Sequence, residues 1–433
     1  MPKPMICLFD ALRKYLELFR SCFSRRQWKY FVTVLLGLIE HEGRHTLKGL
    51  LASVWEKVSL SGLSRFLGLW PWSPEELART WQADFRQEMA GAVQTEHRRQ
   101  RAARPKRRGR PQATLVTGYL VLDDSVQGKP KGQKMAGLGQ HYSTTEKKVV
   151  PGHCLFTSLY LLLDRRCPLL PQLYRQKAVC EREGVPFQSK VDLAATAVAT
   201  FQPPPDTHTH VLVDSWYHCR RVRRAAARRN WDLSGGLKSN RWMRISTPES
   251  GREWVQLSTY AAGLGDADWV EATWPAREGG HKVYVHAVRT WVRKLGPTLV
   301  LITRYSLDQP LAQARYWGST LVDADAQTVI DILAVRWDIE TLFEDYKDLL
   351  GSDHYQVMSA TAIVRFWTLV SCLAYFLDKQ RASIQAERPG EHITWGDARR
   401  AIQSEHQRNL LVWLEDQFRS GITAGQLCAR LAA

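Results

Sequence analysis

Between residues 115 and 240 the chain passes through five apolar segments that are continuous rather than alternating: LVTGYLVLDD, KKVVPG, HCLFTSLYLLLD, THVLVD and NWDLSGGLK. A helical stretch, VDLAATAVATF, separates the third from the fourth. A strand with one face in water alternates apolar and polar residues, whereas a strand covered on both faces is apolar throughout. The pattern therefore specifies an α/β fold, a sheet with helices packed on both of its faces.

The rest of the chain flanks that sheet. Residues 1–96 read as a helical N-terminal domain for DNA binding or dimerisation. Its clearest helix is SPEELARTWQADFRQEMA, where Ser73 caps, Pro74 suits the first turn, and Leu77, Trp81, Phe85 and Met89 recur every four residues. TLKGLLASV and SLSGLSRFLG are short periodic pieces broken near Gly62, compatible with a helix-turn-helix and more so with an ordinary helical hairpin. Residues 97–114 form a basic arm, with eight Lys or Arg between residues 98 and 110. The sheet domain then occupies 115–240 and resumes at 298–385. Between these parts, 241–297 is a β-rich insertion with alternating strands such as EWVQLSTY and KVYVHAVRTW. TLVLITRY reads as one more strand, followed by long helices over 325–351 and 359–384. The second helix is so apolar along IVRFWTLVSCLAYFL that burial is expected. A helical tail, 386–433, closes the chain.

Sixty Lys plus Arg against 43 Asp plus Glu give a net charge of +17 over 433 residues. Such an excess favours a polyanionic partner, of which nucleic acid is the commonest. The eight cysteines are scattered with no CxxC pair, which offers no start for a zinc or redox motif and fits a reducing compartment. MPKPMICLFDALRK lacks the layout of a signal peptide, and the apolar runs FVTVLLGLI and CLFTSLYLLL are far shorter than the ~20 residues of a membrane helix. A cytoplasmic protein with no membrane partner is expected.

Carboxylates sit where chemistry would use them. One strand ends at Asp123 and Asp124 and another at Asp214, and the carboxyl ends of buried strands line the crevice where α/β sheets bind ligands. Adjacent strand residues point to opposite faces, so only one of Asp123 and Asp124 can share a site with Asp214. In VIDILAVRWDIETLFEDYKDLLG, Arg336, Glu340 and Lys347 are spaced by four and seven residues, which puts them on one helical stripe. Each acidic residue alone has an ordinary reading as a cap, a turn residue or half of a surface ion pair. Together they offer the few monodentate oxygens that Mg²⁺ takes, and two such ions about 3.5–4 Å apart serve an in-line displacement at phosphorus.

RWDIETLFEDYK resembles the signature helix of the DDE transposases of bacterial insertion sequences, which reads Tyr, two residues, Arg, three residues, Glu, six residues, Lys. Arg336, Glu340 and Lys347 keep that spacing, while Leu333 stands in the tyrosine's place. Leu299 occupies a position where some relatives carry a base-stacking tryptophan; Trp269, Trp274 and Trp291 within the insertion are candidates to substitute, with a structural role the commoner reading for most of them. The family's first aspartate often precedes Thr or Ser, which selects Asp124 of DDS. The resemblance implies an RNase H-like catalytic core over residues 115 to about 385. Asp124, Asp214 and Glu340 would be its catalytic residues and metal ligands, for Mg²⁺ with Mn²⁺ able to substitute. The implied activity is cutting at transposon ends to free 3′-hydroxyls and joining them to target DNA.

The partners implied are double-stranded DNA, both terminal inverted repeats and target, and a second copy of the chain when DNA is bound. Expected DNA contacts are Arg336 and Lys347 on the signature helix, Lys129 and Lys131 after the first aspartate, and Arg220 and Arg221 in CRRVRRAAARRN. Arg108 and Arg110 join them in RGRP, which matches the core of an AT-hook. Two other functions fit the same residues: an inactive DNA-binding derivative of a transposase, and a metal-dependent endonuclease that never joins strands.

Overall fold

A computed structural model describes residues 8–54, 58–103, 115–143, 146–247, 251–275 and 279–432. Arg108 and Arg110 lie outside them, so the AT-hook reading has no structural counterpart.

Five helices come first: α1 (Asp10–Glu17), α2 (Arg25–Glu40), α3 (Leu47–Ala52), α4 (Leu60–Gly68) and α5 (Pro74–Ala102). Gly62 does not break a helix; it lies inside α4, which begins where Ser59 accepts the Gly62 N–H at 3.0 Å. Ser73 caps α5 as expected, and Leu77, Trp81, Phe85 and Met89 are buried along it. The helix runs on to Ala102 and so takes in Arg98, Arg99 and Arg101 of the expected arm. Trp81 donates its indole N–H to the Pro168 carbonyl at 2.8 Å, fastening α5 to the sheet.

The sheet domain opens with β1 (Val116–Gly128), β2 (Gly139–Ser143), β3 (Lys148–Leu162), β4 (Arg165–Pro168) and β5 (Gln172–Tyr174), then α6 (Lys177–Glu183), α7 (Lys190–Thr200), β6 (Thr207–Val213), α8 (Arg220–Ala227) and β7 (Asp232–Leu237). The segments KKVVPG and HCLFTSLYLLLD, read separately above, are one strand, β3. Gly152 permits this, because a Cβ there would lie 2.6 Å from the Gln127 carbonyl oxygen on β1. The order β2-β3-β1-β6-β7, antiparallel across β2, β3 and β1 and parallel across β1, β6 and β7, is that of an RNase H-like core.

The insertion contributes β8 (Trp242–Thr247), β9 (Gly251–Gln256), α9 (Leu257–Ala262), β10 (Val270–Trp274) and β11 (His281–Val292), followed by β12 (Gly296–Arg304) and β13 (Arg315–Ser319). β13 pairs with β7 on one side and β12 on the other, so the insertion extends the core sheet through β12, β11, β8 and β9.

The expected single helix over 325–351 is interrupted. It comprises α10 (Ala326–Ala334), a 3₁₀ turn at Val335–Trp337, α11 (Asp338–Glu344) and a π turn at Asp345–Leu349. Next, α12 (Ala360–Glu387) packs against α2, α4 and α5 and carries the sheet side on β4. It is long and apolar enough to cross a membrane, yet 83% of its most apolar window is buried inside the protein. That helix is the core between the N-terminal helices and the sheet. Finally α13 (Trp395–Arg419) and α14 (Ala424–Ala432) follow; Arg399 on α13 donates to the carbonyls of Ile39 (2.7 Å) and Leu349 (3.1 Å).

Candidate active site

Parallel pairing of β1 with β6 puts Leu122 opposite Val213. One residue further along, Asp123 and Asp214 stand side by side on the same face of the sheet. Gly236 on β7 leaves room for the turn after Asp214, since a Cβ there would lie 3.0 Å from the Ser215 nitrogen. Within that turn the backbone N–H groups of Trp216 and Tyr217 both donate to Asp214 Oδ1 at 2.9 Å.

The signature helix meets this face through Arg336. Its Nη1 lies 3.3 Å from Asp123 Oδ2 and 3.2 Å from Glu340 Oε1, so one guanidinium ties the aspartate to the helical glutamate; β1 does not end at Asp123 as expected but continues to Gly128, paired with β3. The side chains of Asp123 and Arg336 are 14% and 17% exposed and that of Glu340 37%. Burial pushes the Asp123 carboxyl well above the usual carboxylate range, the neighbouring Asp214 and Asp124 push it further, and Arg336 opposes them. Asp214 is raised as well, by burial first, against the pull of its two backbone donors.

Asp124, the residue selected from the sequence, belongs to another contact set. Its Oδ2 accepts from Lys190 Nζ at 2.6 Å and from Cys154 Sγ at 3.2 Å, and its Oδ1 accepts from the Tyr217 hydroxyl. In the register of β1 with β6 it is Asp123 that lies beside Asp214 and meets Arg336, while Asp124, on the neighbouring position, still pushes the Asp214 carboxyl upward.

Lys129 is likewise displaced from its expected role. Its ammonium is buried, donates to the carbonyls of Asp353 and of Tyr355 (2.9 Å), and sits 3.6 Å over the Tyr355 ring. Burial pulls its pKa down to about 8. A side chain so engaged is not offered to DNA. Lys131 is exposed, as are Arg220 and Arg221 on α8. Arg221 pairs with Asp192, and with Arg220, Arg224 and Arg228 it lines a groove of about 740 Å³ between α7 and α8. Lys347 is half-buried in the π turn and makes no ion pair among the described residues. That wider turn carries it off the stripe an unbroken α-helix would set from Glu340.

Leu333 and Leu299 are both core residues, 2% and 3% exposed. Of the insertion tryptophans, Trp269 is buried beneath Arg304 and Trp274 packs on Trp317, which leaves Trp291 exposed. Two exposed tryptophans that the sequence reading passed over flank the site: Trp216, two residues after Asp214 and beneath Lys238, and Trp337, next to Arg336. Their adjacency to site residues, in DSW and RW, was the available signal. Beside Asp214 and Arg336 a cleft of about 650 Å³ opens toward Ser258, Leu311, Arg315 and Tyr316.

Among the described residues no three His, Cys, Asp or Glu side chains converge as a ready metal cage. The donor chemistry nevertheless fits a hard divalent cation. Asp123 and Asp214 are like-charged, largely buried oxygen donors whose mutual repulsion a cation would relieve, and Glu340 is held next to them by a guanidinium.

An RNase H-like sheet with a carboxylate pair within β1, where its pairing with β6 stops, another just after β6, and a glutamate on the helix beyond defines a class, the nucleic-acid-cutting enzymes built on that core. A family model of the DDE superfamily endonuclease matches residues 18–253, and one of the transposase DDE domain matches residues 188–377. The chain belongs to the DDE superfamily of endonucleases, enzymes acting on DNA, and is of the transposase kind. No curated protein matches it by sequence. Among solved structures, the piggyBac transposase in a synaptic complex with hairpin DNA is similar over 95% of this chain and 76% of that chain, at 9% identity and a TM-score of 0.47.

Proposed function

We propose that this endonuclease is a transposase that cuts at the terminal inverted repeats of a transposon and joins the freed 3′-hydroxyls to target DNA. Asp123, Asp214 and Glu340 would hold the metal, Mg²⁺ or Mn²⁺ in its place. The observation that carries the reading is Arg336, bonded to both Asp123 and Glu340 in the same cluster as Asp214. When bound there, the cation supplies Lewis acidity to the scissile phosphate and eases deprotonation of the attacking oxygen. Asp214, with Oδ1 fixed by two backbone donors, presents Oδ2 in one orientation. Arg336, once its carboxylates are neutralised otherwise, offers charge-assisted donors to a phosphate oxygen.

DNA is gripped by sequence-independent contacts to its phosphates, from Lys131, Lys347, Arg220 and Arg221, and from the arm that contains Arg108 and Arg110. Acting on both transposon ends calls for a homodimer on DNA. Retention of all three carboxylates argues against an inactive derivative.

The test is cleavage and joining on duplexes carrying the transposon end. Asp123→Asn and Asp214→Asn should each abolish divalent-dependent cleavage while DNA binding stays within about twofold, since neither side chain is a phosphate contact. Cleavage by either variant near the wild-type rate refutes the site. Cut but unjoined ends from the intact protein, with target DNA present, favour a nuclease instead.

A further inference from the structure

Of the DD pair, which lies within β1 where its pairing with β6 stops, Asp123 faces the site, yet Asp124 accepts more donors than Asp123 does. Three donors converge on its carboxylate from three different elements. Lys190 comes from the first turn of α7, Cys154 from β3, and the Tyr217 hydroxyl from the turn that follows Asp214. Asp124 thus accepts three side-chain donors, whereas Asp123 accepts one, from Arg336, besides the Asp124 backbone N–H at 2.8 Å.

Tyr217 is what links this cluster to the site. Its side chain is fully buried, packs its ring 5.8 Å from that of Phe156, and ends in the hydrogen bond to Asp124. Its backbone N–H, at the other end of the same residue, donates to Asp214 Oδ1 at 2.9 Å. A residue anchored at its phenol to Asp124 thus sets the donor that aims the Asp214 carboxylate. Lys190, which also lies 5.2 Å over the Tyr174 ring, holds Asp124 in turn.

We propose that Asp124 is a positioning residue for the active site: through Tyr217 it fixes the turn that orients Asp214, and it is not itself a metal ligand. This rests on the reading of Asp123 and Asp214 as the ligands. Residues standing behind metal ligands change metal affinity or activity by about 10- to 100-fold when altered, whereas loss of a ligand removes the site. The same chemistry predicts coupling, because Asp124 and Tyr217 act as one unit.

The experiment compares Asp124→Asn, Tyr217→Phe, their double variant and Asp123→Asn in the full-length protein. Two readouts are used: DNA cleavage across a Mg²⁺ series, and direct Mn²⁺ binding to the DNA-free protein followed by the EPR signal of free Mn²⁺. Asp124→Asn and Tyr217→Phe should each weaken Mn²⁺ binding about tenfold, shift the Mg²⁺ activation curve to higher concentration by a similar factor, and leave the KM for DNA unchanged. The double variant should be no worse than the poorer single one. Tyr217→Phe keeps the ring packed on Phe156, so it reports on the hydrogen bond even where Asp124→Asn folds poorly.

Asp124→Asn that neither binds Mn²⁺ nor cleaves at any metal concentration, with Tyr217→Phe at wild-type level, would make Asp124 a ligand and overturn the proposal. Wild-type behaviour of both variants would overturn it too. Activity in Asp123→Asn is a different failure, that of the site reading beneath it.

Discussion

Arg336→Gln tests the charge balance of the site before any DNA is added. In the folded protein Arg336 faces Asp123 at 3.3 Å and Glu340 at 3.2 Å. At an effective dielectric of about 20, each contact is worth about 5 kcal/mol of gross Coulomb energy. Desolvation of the arginine and of Asp123 offsets much of this, and Glu340, more than a third exposed, is screened by water. A net loss of about 2 kcal/mol of stability at neutral pH is the expected remainder. Its pH dependence has a definite sign. The Asp123 carboxyl already lies above its ordinary value through burial and its acidic neighbours, and removing Arg336 raises it further. A carboxyl that binds its proton more tightly folded than unfolded loses stability as pH rises through the interval between the two values. The variant should therefore fall short of wild type by less at about pH 4.5 than at about pH 8, as read from urea unfolding midpoints. Millimolar Mg²⁺ should stabilise the variant at the higher pH by about 1.4 kcal/mol for each tenfold excess over its Kd, and narrow the deficit by about 1.4 kcal/mol for each tenfold by which the variant binds it more tightly than wild type. An equal deficit at both pH values, or a variant more stable than wild type at pH 8, would refute the charge-balance account.

Other consequences can be measured separately. Asp378 on α12 is fully buried and accepts from Arg165 (2.8 Å) and Arg381 (3.0 Å), so Asp378→Ala should cost about 3 kcal/mol in chemical denaturation by removing the buried partner of both guanidinia, Arg165 keeping only Glu88 and Arg381 only Asp164. Replacing the eight cations between residues 98 and 110 by Ser should flatten the slope of log affinity against log salt by about three to four units if half of them touch phosphate, while catalysis per bound complex survives. Within that series Arg99, paired with Glu96 at 2.8 Å, should contribute least, and Arg110→Ala should reduce preference for A·T-rich flanks. Lys347→Ala should weaken processing of transposon-end DNA more than binding to random duplex; equal losses would make Lys347 a generic contact.

Much of the framework can be read from the residues alone. Asp214 and Glu340 emerge as candidates because a buried strand ends at one and a basic-flanked helix presents the other; the apolar run of α12 likewise announces its burial. What escapes reading depends on contacts between distant segments. Period-two alternation gives two phases, and with both faces of β1 covered nothing local says which phase belongs to Asp123; its pairing with β6, some ninety residues on, decides. Lys129 looks like a surface cation in QGKPKGQK until the loop around Asp353 and Tyr355 closes over it. The 3₁₀ and π turns around α11 are equally hidden, because apolar spacing marks a helical face without fixing how many residues each turn contains.

The ladder from β2 runs through β7, β13 and β12 to β11 in multi-residue pairings, whereas β8 joins β11 at one printed pair, Val292 with Met243. Strands cannot slide against each other without breaking whole rows of hydrogen bonds and turning every side chain to the wrong face. β11, β12, β13 and β7 are thereby locked in register next to the strand that ends before Asp214, and the β8–β9 hairpin is attached to that run at a single pair.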